Sequence, residues 1–414
     1  MSVRREAGRL LGRVLVGWAA AIVAAVASLM VADKARRIIR GQNVPPLQRK
    51  DHTPLTVGDG SVMTVYTSGE VLFEHMLDAI ESARDRILLE SYIIKGDAMG
   101  HRFKQALLDA SARGVEIYLI YDGFANLVVR PSFFRFPGPI RVLRYPLWAG
   151  GLAVFNPRKW GRDHRKILVV DDTVGFVGGY NIGALYATQW RDTHLRVEGP
   201  AVWDLDNAFV DFWNMQRRAG LPELAQVGSS SWQPQVRAHR NVPRQYLYPI
   251  RGMYLEAIDR ATSGIDITAA YFIPDHDILE ALIQASGRGV RVRILVPRIS
   301  NHVVTDWLSR GFYGRLLRAG VEIYRYTDHM VHAKTATIDG QWSTIGTANI
   351  DRLSLLGNYE INLELLDPGF AGEMQGVFDE DLAKAVPLTL AEWNSRPWVA
   401  RAYEAILRPL GPLL

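Results

Sequence analysis

Two stretches of the chain repeat one pattern of polar residues, and this repeat constrains the fold more than any other feature. The stretches run from 164 to 192 and from 332 to 360, and each begins with His-x-Lys. An Asp follows the Lys after four further residues, a Gly and an Asn stand fourteen and seventeen residues after the His, and an acid stands twenty-eight residues after it. Two copies that agree at six positions indicate a duplicated structural unit. The positions are His164, Lys166, Asp171, Gly178, Asn181 and Asp192 in the first copy and His332, Lys334, Asp339, Gly346, Asn349 and Glu360 in the second.

The residues around each His-x-Lys predict a β-hairpin. Residues 167–170 are apolar and mostly β-branched, which is typical of a buried strand. A His and a Lys two residues apart on a strand point to the same face of it. Asp339 and Gly340 form a strong two-residue turn signal, and a pair of Asp residues stands at the matching place in the first copy. Small residues, Gly179 and Thr347, follow the return strands and would let the backbone come close to a ligand.

These side chains together suit the transfer of a phosphoryl-type group. Two Lys supply positive charge for anionic oxygens, and two His can divide nucleophilic attack and protonation of the leaving oxygen. Asn181 and Asn349 can donate hydrogen bonds to the same oxygens, while Asp192 and Glu360 can each hold an imidazole in one tautomer. The predicted intermediate is a phosphohistidine. We expect no metal and no cofactor, because the Lys pair can stabilise the charge of the transition state.

Outside the motifs, both halves follow the same order of helices and strands. The segments ASARGVEIYLI and ASGRGVRVRIL are close copies, and each ends a predicted helix at Gly and enters a strand. Alternating helices and strands predict an α/β fold with mixed sheets and helices on their faces. The predicted units are a first half over 41–217 and a second half over 248–414. Residues 218–247, rich in Ser and Pro, are predicted to connect them.

Residues 1–40 are predicted to be an N-terminal membrane anchor. Residues 14–32 form a run of nineteen without a charge, which is long enough to cross the hydrocarbon layer. A cleaved signal peptide is the alternative. Four basic residues precede the run and six follow it by residue 50, which favours a cytoplasmic catalytic part. The net charge of +5 suits an anionic lipid surface or nucleic acid and decides neither. The chain has no Cys, which excludes disulfides and thiolate metal sites.

Aromatic and basic residues alternate between residues 124 and 156 and leave two interpretations open. Phe133, Phe134 and Trp148 stand among several Arg residues, a mixture that suits a lipid headgroup boundary. Alternatively, the rings close the core of the first half. The helical stretch 302–318 has the same ambiguity, since its Trp307 can line an acyl groove or pack against other helices.

The paired motif resembles the phospholipase D superfamily, whose hallmark is H-x-K-x4-D with a downstream G-S/G-x-N. In the segments 88–100, 178–202, 270–275 and 318–326 the sequence is similar to the bacterial cardiolipin synthases. The sequence departs from the family pattern at two adjacent positions. Arg352 stands one place early, and Leu353 occupies the usual position of the Arg.

The resemblance implies that the two motifs form one active site, so the halves make one pseudo-twofold unit and a monomer is sufficient. It assigns His164 as the nucleophile and His332 as the general acid. The implied substrate is a phosphatidylglycerol-type lipid in an anionic phospholipid membrane, converted to cardiolipin with release of glycerol. The implied location is the inner (cytoplasmic) membrane, crossed once.

Three other functions remain open at this level. Water can capture the same intermediate, which would make the chain a phospholipase D-type hydrolase. A nuclease of the same superfamily also cleaves a phosphodiester, but it needs no membrane span, so nucleic acid is not an expected partner. A non-catalytic membrane module would have no use for both His, both Lys and both acids.

Overall fold

The computed structural model describes residues 2–40, 47–50, 53–58, 60–147, 161–226, 228 and 235–413. Parts of three predicted segments fall outside these ranges. They are the connector after the anchor, the end of the aromatic loop with Trp148, and the middle of the connection between the halves.

The first half contains one large mixed sheet, and an N-terminal helix precedes it. The order across it is β1-β2-β9-β7-β6-β3-β4-β5, with eight strands in the described residues. The elements are α1 (Ser2–Arg40), β1 (Leu55–Val57), β2 (Ser61–Tyr66), α2 (Gly69–Ser82), β3 (Arg86–Ser91), α3 (Ala98–Ala112), β4 (Glu116–Asp122), β5 (Ile140–Tyr145), β6 (Lys166–Val170), β7 (Val174–Gly178), α4 (Ala184–Thr188), β8 (Trp190–Arg191), β9 (His194–Glu198) and α5 (Val202–Gln216).

The second half repeats this plan. The order across its sheet is β10-β19-β17-β16-β11-β13-β14-β20, again with eight described strands. The elements are β10 (Val236–Asn241), α6 (Pro249–Arg260), β11 (Gly264–Ala269), β12 (Phe272–Ile273), α7 (His276–Gly287), β13 (Arg291–Pro297), α8 (Val303–Arg318), β14 (Glu322–Tyr326), β15 (Met330–Val331), β16 (Lys334–Ile338), β17 (Trp342–Gly346), β18 (Ile350–Asp351), α9 (Arg352–Leu356), β19 (Glu360–Leu366), α10 (Pro368–Leu382), β20 (Ala385–Leu388), α11 (Leu390–Asn394) and α12 (Trp398–Leu407).

The shared plan confirms the predicted fold class. In both halves three strands run parallel and continue into an antiparallel hairpin, β6–β7 or β16–β17. One predicted boundary needs correction. Residues 236–241 are not part of a connection, because they form β10 and pair with β19 along its whole length. A strand that completes a sheet belongs to that sheet's half.

Buried apolar side chains on the inner faces of the two sheets form one common core. On β6, Ile167 and Val169 enter this core, whereas Leu168 and Val170 face the helices of the first half. Ile361 and Leu363 of the second half lie in the same core, against α5 with its buried Trp213. Full burial of one such side chain stabilises the fold by roughly 1.5–3 kcal/mol. The common core therefore fixes the two halves relative to each other.

The described part of the aromatic loop supports the core interpretation. Phe133 is buried, and Phe134 stacks on Tyr121 with their ring centroids 3.9 Å apart. Neither ring is placed to enter a membrane. In the described part of this loop the exposed large apolar residues are instead Phe124, Leu127 and Val128, whose exposed fractions are 54%, 57% and 82%.

The apolar helix α1 packs against α8 and α12. One span of suitable length and hydropathy is found in the described residues, Val16–Ala35. Its Ala25 and Leu29 are buried against Leu308 and Leu407. Trp307 packs on Tyr403, with the ring centroids 5.4 Å apart, which supports the interpretation that it packs against other helices.

Candidate active site

Each catalytic histidine candidate is held by the backbone of the opposite half. The short strands β8 and β15 pair across the two halves, and the N–H of His332 donates to the carbonyl of Arg191 at 2.7 Å. The N–H of His164 donates to the carbonyl of Tyr359 at 3.0 Å. Arg191 and Tyr359 each stand directly before the acid that ends a motif. The pairing therefore brings the start of each motif to the end of the other.

The two acids consequently exchange partners. Oδ2 of Asp192, from the first half, lies 2.6 Å from Nδ1 of His332, from the second. Oε2 of Glu360, from the second half, lies 3.0 Å from Nδ1 of His164, from the first. A carboxylate at Nδ1 places the ring proton there and leaves Nε2 unprotonated and available for chemistry. Each acid thus holds an imidazole, and both of these pairs cross between the halves.

Both imidazoles line one cavity of about 250 Å³. Asn181 and Asn349 line it too, and Oδ1 of Asn349 is buried without a hydrogen-bond partner among the described residues. Lys166 and Lys334 lie under the two histidines, and each ammonium donates to the carbonyl of the His two residues before it. The predicted site residues of the two motifs are thus brought together, with the exception of two aspartates described below.

Burial keeps both imidazoles neutral in the unliganded site. It lowers the pKa of His332 to about 3, helped by Lys334, whose Nζ lies 2.8 Å from Nδ1 of that ring. Burial also lowers the pKa of His164, although Glu360 acts in the opposite direction. A buried phosphodiester anion would reverse part of this shift, because an opposite charge favours the protonated ring.

The two lysines are also shifted by burial, which lowers the pKa of Lys166 to about 7 and that of Lys334 to about 8. Burial raises the pKa of Asp192, but Lys334 and His332 outweigh it, so the carboxyl stays below its usual pKa. The site therefore has the ionised Asp192 beside ammonium groups that are close to losing their protons. Such a site is prepared for an incoming anion.

Gly179 and Thr347 act on the acids. A Cβ at Gly179 would lie 2.0 Å from Oδ1 of Asp192, so only Gly leaves room for that carboxylate. At the equivalent place in the second half, the hydroxyl of Thr347 donates to Oε2 of Glu360 at 2.6 Å. The two halves thus position their acids in different ways, one through the absence of a side chain and one through a hydroxyl.

Asp171 and Asp339 correct the sequence prediction, which placed them among the catalytic residues. Each lies at the hairpin turn, at the far end of its strand, about 16 Å from the motif Lys at a rise of about 3.3 Å per residue. Asp171 accepts hydrogen bonds from three consecutive backbone N–H groups, at residues 84–86, and Asp339 does the same at 262–264. Their role is to fix the loop that enters the neighbouring strand, β3 or β11, which runs antiparallel to the motif strand.

Several cavity residues were missed by the sequence analysis. The ring of Tyr92 lies 4.7 Å from that of His164, and the ring of Tyr271 lies 6.0 Å from that of His332. Asp351 lines the cavity as well, and burial raises its pKa to about 7. The two Tyr carried a usable signal, since they follow the corresponding strands β3 and β11 in a similar context, SYII and AYFI.

The described residues contain no cluster of three or more His, Asp or Glu that could hold a metal ion.

Comparisons with known proteins show which family the chain resembles. A family model described as "Cardiolipin synthase, PLD-like domain" matches residues 76–213 and 254–382, one segment in each half. The major cardiolipin synthase of Bacillus subtilis is 32% identical over 374 residues, which cover 86% of this chain and 76% of that protein. A cardiolipin synthase of Geobacillus sp. (strain WCH70) is 34% identical over 363 residues, which cover 84% and 72% of the two proteins.

Among solved structures, the phosphatidylserine synthase of Haemophilus influenzae has a TM-score of 0.68 at 12% sequence identity. The match covers 92% of this chain and 98% of that one. At this identity the likeness shows a common fold. The two matched segments, the curated relatives and the paired motifs lead to one conclusion: the chain belongs to the cardiolipin synthase family of phospholipase D-like proteins.

Proposed function

We propose that the chain is a phosphatidyltransferase that makes cardiolipin from two phosphatidylglycerol-type lipids and releases glycerol. The observation that carries the proposal is the pair of crossed histidine–carboxylate contacts facing one cavity, with a lysine beneath each histidine. The names of the curated relatives support the same activity. One chain supplies both halves of the site, so a monomer is sufficient, and nucleic acid is not an expected substrate.

In the first step Nε2 of His164 attacks the phosphorus of the donor lipid. The bond from phosphorus to the glycerol oxygen breaks, and that oxygen takes a proton from Nε2 of His332, which becomes protonated when the anion binds. Lys166 and Lys334 stabilise the charge on the non-bridging oxygens. Glu360 holds the attacking ring in the reactive tautomer. The products are a phosphatidyl-histidine and free glycerol.

In the second step a glycerol hydroxyl of another phosphatidylglycerol enters the cavity. His332, now neutral, accepts the hydroxyl proton as the oxygen attacks phosphorus, and the bond from phosphorus to Nε2 of His164 breaks. Cardiolipin leaves, and both rings return to their starting state. Water in place of the hydroxyl would give phosphatidic acid, which is the hydrolytic alternative.

Product analysis tests the proposal directly. Purified full-length protein is supplied with phosphatidylglycerol that is labelled in the headgroup and in the acyl chains. We expect labelled cardiolipin and labelled glycerol in equal amounts. Phosphatidic acid with glycerol would establish the hydrolase instead, and unchanged lipid would refute both.

The buried lysines predict an alkaline limit to activity. Both pKa values lie well below the usual value for Lys, at about 7 and about 8, so the free enzyme loses ammonium charge as the pH rises through this window. An anionic lipid binds the protonated form better, and kcat/KM reports the groups of the free enzyme. We expect kcat/KM for phosphatidylglycerol in neutral detergent micelles to fall between pH 7 and pH 9. Arg at position 166 stays protonated in this range. In Lys166→Arg the part of the decrease in kcat/KM that comes from deprotonation of Lys166 should therefore be absent. A profile that stays flat to pH 10 would contradict the prediction.

Membrane association follows from the apolar helix and the bacterial relatives, and we propose a finer arrangement. Ala25 and Leu29 lie near the middle of the apolar span, yet they are buried against α8 and α12. The catalytic body therefore reaches the membrane helix within its apolar part. Trp398, at the start of the amphipathic α12, is 77% exposed, and exposed Trp is typical of the membrane–water boundary. We place α12 in the cytoplasmic leaflet of the inner membrane, with α1 crossing once.

Single cysteines test this arrangement, because the chain has none of its own. A nitroxide on Trp398→Cys should be more accessible to oxygen than to a water-soluble nickel chelate. Arg260→Cys, on an exposed part of α6, is the matched control and should show the reverse. The same control cysteine should react with an impermeant maleimide in inverted vesicles and not in intact cells. Equal aqueous accessibility at both positions would remove α12 from the membrane.

A further inference from the structure

A second cavity, of about 600 Å³, lies beside the active site. The two cavities share the loop between β3 and α3. Tyr92 and Ile93 of this loop line the catalytic cavity, and Lys95 and Gly96 line the second one. The loop is fixed to the other side of the catalytic cavity, because the N–H of Lys95 donates to the carbonyl of Ile182 at 2.9 Å. The lining residues of the two cavities, Ile93 and Lys95, are therefore only two positions apart along this loop.

The second cavity has an excess of positive charge. Its titratable lining residues are Lys95, Asp97, His101, Lys104 and Arg130. The single carboxylate, Asp97, is already engaged, since it accepts from the N–H groups of Gly100 at 3.1 Å and Ala184 at 2.8 Å.

The cations of this cavity are not neutralised by neighbouring acids. The ammonium of Lys104 donates to the backbone carbonyls of Phe133 and Arg135, the latter at 3.0 Å. Lys95 and Arg130 have no ion pair with any carboxylate of the described residues. Like charges gathered in a concave site repel each other unless an anion joins them. The cavity is thus suited to an anion.

The position of Lys95 is fixed by its surroundings. Its aliphatic part packs over Gly183, where a Cβ would come within 2.8 Å of Cγ of the lysine. Gly183 in turn precedes the helix α4, whose Tyr186 lines the catalytic cavity. The lysine is therefore held at the boundary between the two cavities before any ligand arrives, which lowers the entropic cost of binding.

The rim of the second cavity is apolar. Leu127 and the lining residue Val128 are largely exposed, and they stand three and two residues before Arg130. A basic floor under an apolar rim matches the headgroup and upper acyl chains of an anionic phospholipid better than a free phosphate ion.

We propose that the second cavity binds the phosphate of the acceptor lipid while the donor phosphatidyl group is on His164. This rests on the proposed function. In cardiolipin a single glycerol joins the two phosphodiesters, so the acceptor phosphate has to lie one glycerol away from the reacting phosphorus. The loop from Tyr92 to Gly96 places a basic cavity directly beside the catalytic one. Lys95 and Arg130 supply the charge that selects an anionic lipid as acceptor.

The double variant Lys95→Gln/Arg130→Gln removes both positive charges and separates the acceptor step from the donor step. Transfer to phosphatidylglycerol needs the second phosphate site, whereas transfer to free glycerol or to water does not. We expect KM for the acceptor lipid to rise roughly tenfold or more, as for the loss of charge-assisted contacts, with exchange of free glycerol within about twofold of wild type. Arg102→Gln, which removes one positive charge at an exposed neighbouring position on α3, should leave both reactions unchanged. Equal losses in both reactions, or none in either, would overturn the proposal.

A binding measurement keeps the inference testable if no cardiolipin is formed. The His164→Ala protein, which cannot form the intermediate, is titrated with short-chain phosphatidylglycerol below its micelle concentration. We expect two molecules bound per chain, and one after Lys95 and Arg130 are also neutralised. A single molecule in both proteins would refute the second site. Inorganic phosphate that binds there as tightly as the lipid would refute the lipid assignment.

Discussion

Replacing either His164 or His332 by Ala is expected to abolish phosphatidyl transfer. One ring forms the bond to phosphorus and the other moves the proton, and each of these two rings has a carboxylate at its Nδ1. The loss should be on the order of 10⁴-fold or more in kcat, as for catalytic residues that act as a unit. The measurement is release of labelled glycerol from phosphatidylglycerol, with folding checked by circular dichroism.

The double variant should be no less active than either single variant, because groups that act together do not contribute additively. His276→Ala is the matched control, since this histidine lies on α7 with its side chain 78% exposed. It should keep wild-type activity. Substantial turnover in either catalytic variant would mean that the cavity is not the active site.

Replacing the crossed acids has the second largest expected effect. Asp192→Asn and Glu360→Gln keep the size of the side chains and remove the charge that holds each ring in its reactive tautomer. A loss of about 10³–10⁴-fold in kcat is expected, as for the acid of a catalytic triad. Glu223→Gln, at an exposed position, is the control.

The crossed geometry also predicts which histidine pKa changes in each variant, and a merely structural role of the acids would not produce this pattern. A carboxylate raises the pKa of the imidazole that it contacts. Glu360→Gln should therefore lower the pKa of His164 and leave that of His332 nearly unchanged, while Asp192→Asn should do the opposite. Nuclear magnetic resonance titration of the ring protons measures both. A shift of the histidine in the same half as the altered acid would contradict the pairing.

The sequence predicted the hairpins because their signals are local. Strand residues, turn residues and the two-residue spacing of His and Lys all lie within a short segment. The exchange of acids could not be predicted in this way. Asp192 and Glu360 stand at equal distances from their own histidines along the chain, and only the pairing of β8 with β15 and the packing of the two sheets decide which ring each one meets.

Repetition also proved ambiguous about purpose. Asp171 and Asp339 recur with the same spacing as the catalytic candidates, yet they bind backbone N–H groups at the hairpin turns. A duplicated unit repeats its structural residues as well as its catalytic ones. The aromatic loop shows the reverse difficulty. Phe133 and Val128 have similar sequence surroundings, and only the tertiary fold buries the first and exposes the second.

The exchange of acids between the halves has an evolutionary consequence. After a gene duplicates and fuses, one copy is usually free to lose its original activity. Here the loss of the carboxylate in either repeat also impairs the histidine of the other repeat, because each ring depends on a carboxylate encoded in the other repeat. Natural selection therefore has to preserve the crossed contacts of both repeats together, even though neighbouring buried positions such as Gly179 and Thr347 have diverged.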